Sequence, residues 1–178
     1  VGELRLNGKV IKNWDLKARG SITMTEVIEE SVNTGAAFAE RTLGHENFYK
    51  YLLRFGFGEL TGIDLPGEIK GSLRTLVKPA QDINFATVSF GQGVSVTPIA
   101  LINAVSAIAN GGFLMRPYVT DSMTPKIIRR VISKDAVLAD TRMMTSAVDK
   151  SKVAAIPRYS VAGKTGTAQI ANGSQYKG

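Results

Sequence analysis

Apolar side chains recur at helical spacing in the first third of the chain. Thr23 followed by Glu26 has the pattern of a capping box, which predicts the start of a short helix. A second helix is predicted where alanines and a leucine share one face, ending at Gly44. A third, HENFYKYLLRFGFG, places its aromatic and leucine side chains together and ends at Gly56.

The middle of the chain predicts a loop and then an apolar helix. Residues 58–82 contain prolines and several glycines and are predicted to form a loop. The helix PIALINAVSAIAN follows, with Thr97 as its N-cap and Pro98 as its first residue. Because this helix is apolar almost all round, we expect it to be buried between other elements. Gly111 and Gly112 end it.

The last third of the chain is predicted to alternate strands with one helix. PKIIRRVIS is rich in β-branched residues and predicts a strand. Ser133 is the expected cap of a helix from Lys134 to about Val148. YSVAGKTGTAQIA predicts a second strand, and NGSQYKG predicts the turn after it.

These elements predict one α+β domain over residues 1–178. It would have an irregular lead-in with short strand-like pieces over 1–20, a mostly helical part over 21–112 and a strand-containing part over 113–178.

Composition excludes several kinds of site. Hydrophobic residues make up 44% of the chain and charged residues 21%, which is typical of a globular protein. The absence of cysteine excludes disulfides, thiolate metal sites and a cysteine nucleophile. A single histidine, His45, argues against a histidine metal site or a histidine-based catalytic triad. No apolar run approaches the roughly 20 residues of a membrane span, so any membrane anchor is expected outside this chain.

The net charge of +7 lies entirely in the last part of the chain. Residues 116–178 contain 11 lysines and arginines against four acidic residues. Only Arg129 and Arg130 are adjacent, and no aromatic residues interleave with the charges. We therefore interpret the excess as a solvated face that steers anionic ligands, and we expect no nucleic-acid partner.

A lysine in the apolar segment SVAGKTGTAQIA suggests a binding strand. The motif argues against a phosphate loop, because its first glycine would be residue 158, which is arginine. A lysine that protects an edge strand from aggregation is an open alternative, but it does not explain the glycines at 163 and 166. Lys-Thr-Gly-Thr offers an ammonium group, two hydroxyls and a backbone N–H to a carboxylate or an extended peptide.

Ser31 and Asn33 form a second polar group, between two predicted helices. Serine and asparagine are favoured as helix caps, and this interpretation stays open. The pair also offers a proton-relaying hydroxyl and a carboxamide. A serine-based mechanism without histidine requires a lysine-based route for the proton.

The two groups together resemble known motifs. S-x-N at Ser31–Asn33 and K-T-G at Lys164–Gly166 resemble two of the three signature motifs of penicillin-binding proteins and serine β-lactamases. FGFGELTGIDLPGE, SFGQGVSVTPIALINAVSAIANGG and VAGKTGTAQ are similar to class B penicillin-binding proteins. The resemblance extends from Gly20 onward and implies their transpeptidase fold, an antiparallel sheet with a helical subdomain, incomplete in this chain.

The resemblance implies a peptidoglycan D,D-transpeptidase of elongation, which sets cell shape, or of cell division. Such enzymes cross-link stem peptides ending in D-Ala-D-Ala through a serine acyl-enzyme, and β-lactams acylate the same serine. The implied catalytic residues are Ser31, Asn33 and Lys164, and the implied substrate-binding residues are Thr165, Gly166 and Thr167. The backbone N–H of Thr167 would be one oxyanion-hole donor. The resemblance also implies that the reaction needs no metal and no cofactor.

The third family motif, S-x-x-K, is not found where the resemblance requires it. The only match, Ser174 to Lys177, follows K-T-G and is interpreted as chance. We therefore expect the nucleophile outside this chain, and the chain alone to be inactive. The resemblance further implies the outer face of the cytoplasmic membrane in the bacterial envelope, with other cell-wall synthesis proteins as partners.

Two other functions are compatible with the motifs. One is a related serine β-lactamase or D,D-carboxypeptidase, against which the Phe57–Glu68 and Phe90–Gly112 stretches argue. The other is a non-catalytic β-lactam sensor or scaffold. An S-x-x-K upstream would support an enzyme, and its replacement would support the scaffold.

Overall fold

The computed structural model describes residues 2–166, 170–172 and 175–177, which form both helices and strands. The helices are α1 (Met24–Glu29), α2 (Asn33–Leu43), α3 (His45–Arg54), α4 (Asp82–Val88), α5 (Pro98–Ala109) and α6 (Lys134–Ser151). The strands are β1 (Glu3–Leu6), β2 (Lys9–Lys12), β3 (Phe113–Met115), β4 (Ile127–Arg130), β5 (Ile170–Asn172) and β6 (Gln175–Lys177). A 3-10 turn covers Arg74–Leu76. The predicted α+β class is confirmed.

The strands pair as three antiparallel ribbons, β1 with β2, β3 with β4, and β5 with β6. The first ribbon pairs Glu3 with Lys12. The second pairs Phe113 with Arg130 and has an irregular register after Leu114. The lead-in predicted to contain strand-like pieces therefore includes a regular hairpin over residues 3–12, and residues 13–20 form neither helix nor strand.

The chain divides into two compact units. The first comprises Val1–Thr42, Ala80–Gly93 and Arg142–Gly178, and the second comprises Leu43–Pro79 and Val94–Thr141. The prediction of a single domain over residues 1–178 stays a prediction.

The core of the first unit joins the β1–β2 hairpin to two helices. Its buried centre consists of Ile11 from β2, Ala37 from α2 and Ala86 from α4. Half-buried side chains surround it: Leu4, Leu6, Ile83 and Phe90. The backbone N–H of Ile83 also donates to Asn7 Oδ1 at 3.1 Å. These contacts hold the hairpin against α2 and α4, and α2 begins at the candidate site.

The core of the second unit packs α5 against the β3–β4 ribbon. Its buried residues are Ala107, Leu114 and Val131, and Phe55 and Ile132 pack against them. Burial of such apolar surface is the main favourable contribution to folding.

The basic pair on β4 has a structural role. Arg129 donates to the carbonyls of Leu53 and Arg54 at 2.7 and 2.8 Å, so it caps the C-terminal end of α3. It also pairs with Glu59. The guanidinium of Arg130 lies 4.0 Å from the centre of the Phe113 ring. These two arginines thus have partners within their own unit, although Arg130 remains exposed, and the interpretation of the charge excess as a solvated face stays a prediction.

Most helix boundaries follow the predicted caps. The capping box between Thr23 and Glu26 is present, and Thr97 accepts a hydrogen bond from the N–H of Ala100. Ser133 Oγ accepts from the N–H of Ala136 at the start of α6. This helix continues to Ser151, three residues beyond the predicted end.

Other predictions of local structure are wrong. Helix α4 lies in a region where no helix was predicted. Its start is stabilised by a reciprocal pair of hydrogen bonds between Gln81 and Asn84, which form a capping box. Within the predicted strand YSVAGKTGTAQIA, the described residues 159–166 form no strand, whereas its last two residues, Ile170 and Ala171, belong to β5. The segment predicted as a turn contains β6.

The expected all-round burial of α5 is also wrong within the described residues. Ala100, Ala104 and Ala107 are buried, whereas Leu101, Ile102 and Val105 are exposed. An apolar composition shows that a helix can be buried, but it does not show which elements cover it. None of the helices in the described ranges combines the length and hydrophobicity needed to cross a membrane.

Candidate active site

Ser31 occupies a strained turn at the junction of α1 and α2. Its φ angle is +52°, in the left-handed region that glycine and asparagine usually occupy. The N–H of Val32 donates to Val27 O at 3.0 Å, and that of Ser31 donates to Ile28 O at 3.4 Å. This pair of bonds is a Schellman motif with serine at the position favoured for glycine. Ser31 therefore ends α1 through its backbone and not through the side-chain cap for which serine is favoured, and its hydroxyl is left for other contacts.

A buried asparagine that the sequence analysis missed anchors the start of α2. Asn13 is 1% exposed, and its Oδ1 accepts from both the N–H and the hydroxyl of Thr34 at 3.1 Å. Its Nδ2 donates to Lys17 O at 2.8 Å. Buried polar groups with all these bonds fix local geometry, because leaving them unpaired costs free energy. No periodic pattern marks a single asparagine in a lead-in, so the sequence held no signal for it.

Asn33, the first residue of α2, is held by the end of β2. Its Nδ2 donates to the carbonyl of Lys12 at 3.0 Å. Among the described residues no donor reaches its Oδ1, so this oxygen can accept a hydrogen bond from a ligand. The contact fixes the rotation of the carboxamide and leaves its acceptor available.

The two helices approach closely at Gly35. A Cβ atom added there would lie 2.5 and 2.8 Å from the two methyl groups of Val27. Only glycine allows this approach without displacement of the valine, which is buried. The glycine of ESVNTG therefore sets the tight angle that presents Ser31.

The structure brings Lys164 to Ser31, which lies 133 residues earlier in the chain. Lys164 Nζ donates to Ser31 Oγ at 2.8 Å. It also donates to the carbonyl oxygen and hydroxyl oxygen of Thr165, at 2.9 and 3.1 Å. An ammonium group can only donate, so Ser31 Oγ is the acceptor and its own O–H remains available to donate. This geometry suits a hydroxyl that passes a proton onward.

The ammonium of Lys164 is partly desolvated. Although the residue as a whole is exposed, burial around its charge lowers its pKa below the ordinary lysine value. In the part of the chain that the structure describes, no carboxylate pairs with it. The site thus presents a positive charge beside a hydroxyl, an arrangement that attracts an anionic group.

The segment that carries Lys164 runs alongside α6 and not in a sheet. The N–H of Gly163 donates to Met144 O at 3.2 Å, and residues 160–166 have no strand partner among the described residues. Thr165 and Gly166 are exposed next to Lys164. Thr167, the expected oxyanion donor, and Ser174 of the chance S-x-x-K match lie outside the described residues.

Nearly the whole chain matches one family model. Residues 3–178 match the model described as the penicillin binding protein transpeptidase domain. The chain belongs to this family. It is 34% identical over 189 residues to Stage V sporulation protein D of Bacillus subtilis and 32% identical over 169 residues to Peptidoglycan D,D-transpeptidase FtsI of Escherichia coli K12. These alignments cover 98% and 93% of this chain but only 29% and 28% of the relatives, so it spans less than a third of their length.

Solved structures of penicillin-binding proteins have the same fold. The transpeptidase domain of Burkholderia pseudomallei penicillin-binding protein 3 superimposes with a TM-score of 0.87 at 32% identity, over 99% of this chain and 54% of that one. Penicillin-binding protein 3 of Mycobacterium tuberculosis, complexed with ampicillin, gives 0.81 at 28% identity, over 96% and 42%. The predicted family and its transpeptidase fold are confirmed.

We predict that replacing Ser31 by glycine and by alanine separates the cost of its backbone from the use of its hydroxyl. Both variants lose the contact with Lys164, but only glycine adopts a positive φ without strain. We expect Ser31→Gly to be more stable than Ser31→Ala by about 1 kcal/mol. Urea unfolding of the protein that contains this chain measures the difference. Equal stability, or a more stable alanine variant, would contradict the strain.

Proposed function

We propose that this chain is part of a penicillin-binding peptidoglycan D,D-transpeptidase, which cross-links stem peptides through a serine acyl-enzyme. The observation that carries the proposal is the hydrogen bond from Lys164 to Ser31 in a chain of this family. The name of the FtsI relative states the same activity, and the ampicillin complex of a structural neighbour supports β-lactams as inhibitors.

The proposed reaction has two acyl transfers. A serine outside these 178 residues attacks the penultimate carbonyl of a stem peptide ending in D-Ala-D-Ala. The C–N bond breaks, and the nitrogen of the leaving D-alanine takes up a proton. The amine of a second stem peptide then attacks the ester, forming the cross-link and returning a proton to the serine oxygen. Dividing one difficult transfer between two easier steps is the gain of covalent catalysis.

The described side chains suit the roles that the family resemblance implies. Ser31 accepts from Lys164 and has its own proton free to donate, which suits proton delivery to the leaving nitrogen. Asn33 has an acceptor oxygen for a substrate amide. Lys164 and Thr165 would hold the substrate carboxylate, Gly166 would admit the peptide backbone, and Thr167 remains the expected oxyanion donor.

The substrate determines where the parent protein would work. Peptidoglycan stem peptides lie outside the cytoplasmic membrane, so we place the protein at the outer face of that membrane. A membrane anchor in another segment and contacts with other cell-wall synthesis proteins belong to the same proposal. The family of cell-wall enzymes supports it.

We predict that the chain, extended upstream to include the nucleophile, is labelled covalently by a fluorescent penicillin. Lys164→Ala removes the charge that holds the carboxylate and should lower the second-order labelling rate on the order of 10²-fold. The matched control is Lys9→Ala, since Lys9 is an exposed lysine of the same unit. Labelling followed on a gel and by intact mass measures both. Unchanged kinetics in Lys164→Ala would remove this residue from its role, and no labelling of the unmodified protein would refute the proposed function.

We further predict an alkaline limit to labelling. Burial lowers the pKa of Lys164, so its ammonium loses its proton at a lower pH than an ordinary lysine does. The charge is present below that pKa and is lost as the pH rises through it, so the labelling rate should fall before the ordinary lysine range is reached. In Lys164→Arg the charge persists to higher pH. An identical alkaline limb in both proteins would show that Lys164 is not the titrating group.

A further inference from the structure

The C-terminal half of α6 contacts the chain on both sides of the Ser31–Lys164 pair. Met144 O accepts the N–H of Gly163, one residue before Lys164. Ser146 and Lys150, on successive turns of the same helix, reach Glu29, the last residue of α1, and Glu30, which immediately precedes Ser31. One helix therefore holds both partners of the contact on which the site depends.

The contact with α1 consists of a hydroxyl and an ammonium group on two carboxylates. Ser146 Oγ donates to one oxygen of Glu29, and Lys150 Nζ lies 3.0 Å from the other. Lys150 Nζ also lies 2.9 Å from an oxygen of Glu30. Ser146 and Lys150 are four residues apart, so they share one face of α6. The Glu29 side chain is only 11% exposed, which makes this an ordered contact.

The network continues to the loop before α1. The second oxygen of Glu30 accepts from Arg19 Nε at 2.7 Å, and Arg19 pairs with both oxygens of Asp15 at 3.0 and 2.8 Å. The indole N–H of Trp14 donates to Glu30 O at 3.1 Å, on the peptide that precedes Ser31. Linked ion pairs of this kind hold geometry better than isolated surface pairs do.

The facing groups agree with a fully charged network. The pKa of Glu29 is lowered by Ser146 and then by Lys150, and that of Glu30 is lowered by Arg19 and then by Lys150. The two adjacent carboxylates repel each other, and Lys150 is the counter-charge that they share. Removing Lys150 would leave each of the two carboxylates at the end of α1 with one ion pair fewer.

We propose that Ser146 and Lys150 are positioning residues, which hold the end of α1 against α6 and thereby keep Ser31 Oγ within hydrogen-bonding distance of Lys164. The proposal rests on the proposed function only for its effect on the reaction. A strained turn such as Ser31 persists only when its surroundings hold it. Small displacements of a reacting group lower rates by large factors.

The test separates positioning from folding in the intact protein that contains this chain. Stopped-flow reaction with a fluorescent penicillin yields the dissociation constant and the acylation rate constant separately. In Lys150→Met and in Ser146→Ala we expect the acylation rate constant to fall about tenfold while the dissociation constant stays within about twofold. Ser146→Ala changes no charge, so an effect there cannot come from the electrostatic field of the lysine.

Two matched variants complete this test. Lys150→Arg keeps the charge and should recover most of the rate. Lys134→Met removes an exposed lysine from the other end of α6 and should react like the unmodified protein. Acylation rates within twofold of the unmodified protein in both Lys150→Met and Ser146→Ala would overturn the proposal, as would an equal loss in Lys134→Met.

Amide hydrogen exchange tests the same proposal without the reaction. The N–H groups of Ser31 and Val32 bond to Ile28 and Val27 only while the turn is held. They should exchange about tenfold faster in Lys150→Met and Ser146→Ala, with the core amides unchanged. Unchanged exchange at the turn would overturn the proposal. If the unmodified protein took no penicillin label, the proposed function would fail, and the exchange result would still decide whether α6 holds the turn.

Discussion

The hydrogen bond from Lys164 to Ser31 joins two polar segments that lie 133 residues apart in the chain. Because an ammonium group only donates, this one contact determines which way the serine hydroxyl can act. The contacts of Asn13, Asn33 and Gly35 hold the serine from one side, and α6 holds the lysine segment from the other. These contacts of the first unit thus hold a single pair of side chains, Ser31 and Lys164, in place.

The same contacts maintain a backbone conformation at Ser31 that serine disfavours. A positive φ at Ser31 costs on the order of 1–3 kcal/mol, which the contacts around the turn offset. Partial burial of the Lys164 charge is a second local cost. Both costs fall on residues that the family resemblance assigns to catalysis. The arginine pair on β4, by contrast, makes contacts that stabilise its own unit. Strain and desolvation concentrated at one place are typical of active sites.

Much of this could be predicted from the sequence, because caps and motifs are local. Thr23, Thr97 and Ser133 mark helix starts through their own side chains, and S-x-N with K-T-G indicated which residues meet. The prediction of a strand around Lys164 was wrong. A pattern of alternating residues indicates an extended chain, but it does not show whether a neighbouring strand is available to pair with it, and here the N–H of Gly163 bonds to α6 instead. Asn13 and Lys150 act through contacts with residues distant in sequence, and no local sequence pattern around either residue predicts which residue it contacts.

The central claim is that Ser31 and Lys164 act as one unit, and a double-mutant cycle tests it most directly. The acylation rate of the parent protein by a penicillin would be measured for Ser31→Ala, Lys164→Met and the double variant. If the two side chains work through their shared hydrogen bond, the double variant should be little slower than the slower single variant. If the losses of the two single variants multiply in the double variant, the residues act independently and the account is contradicted.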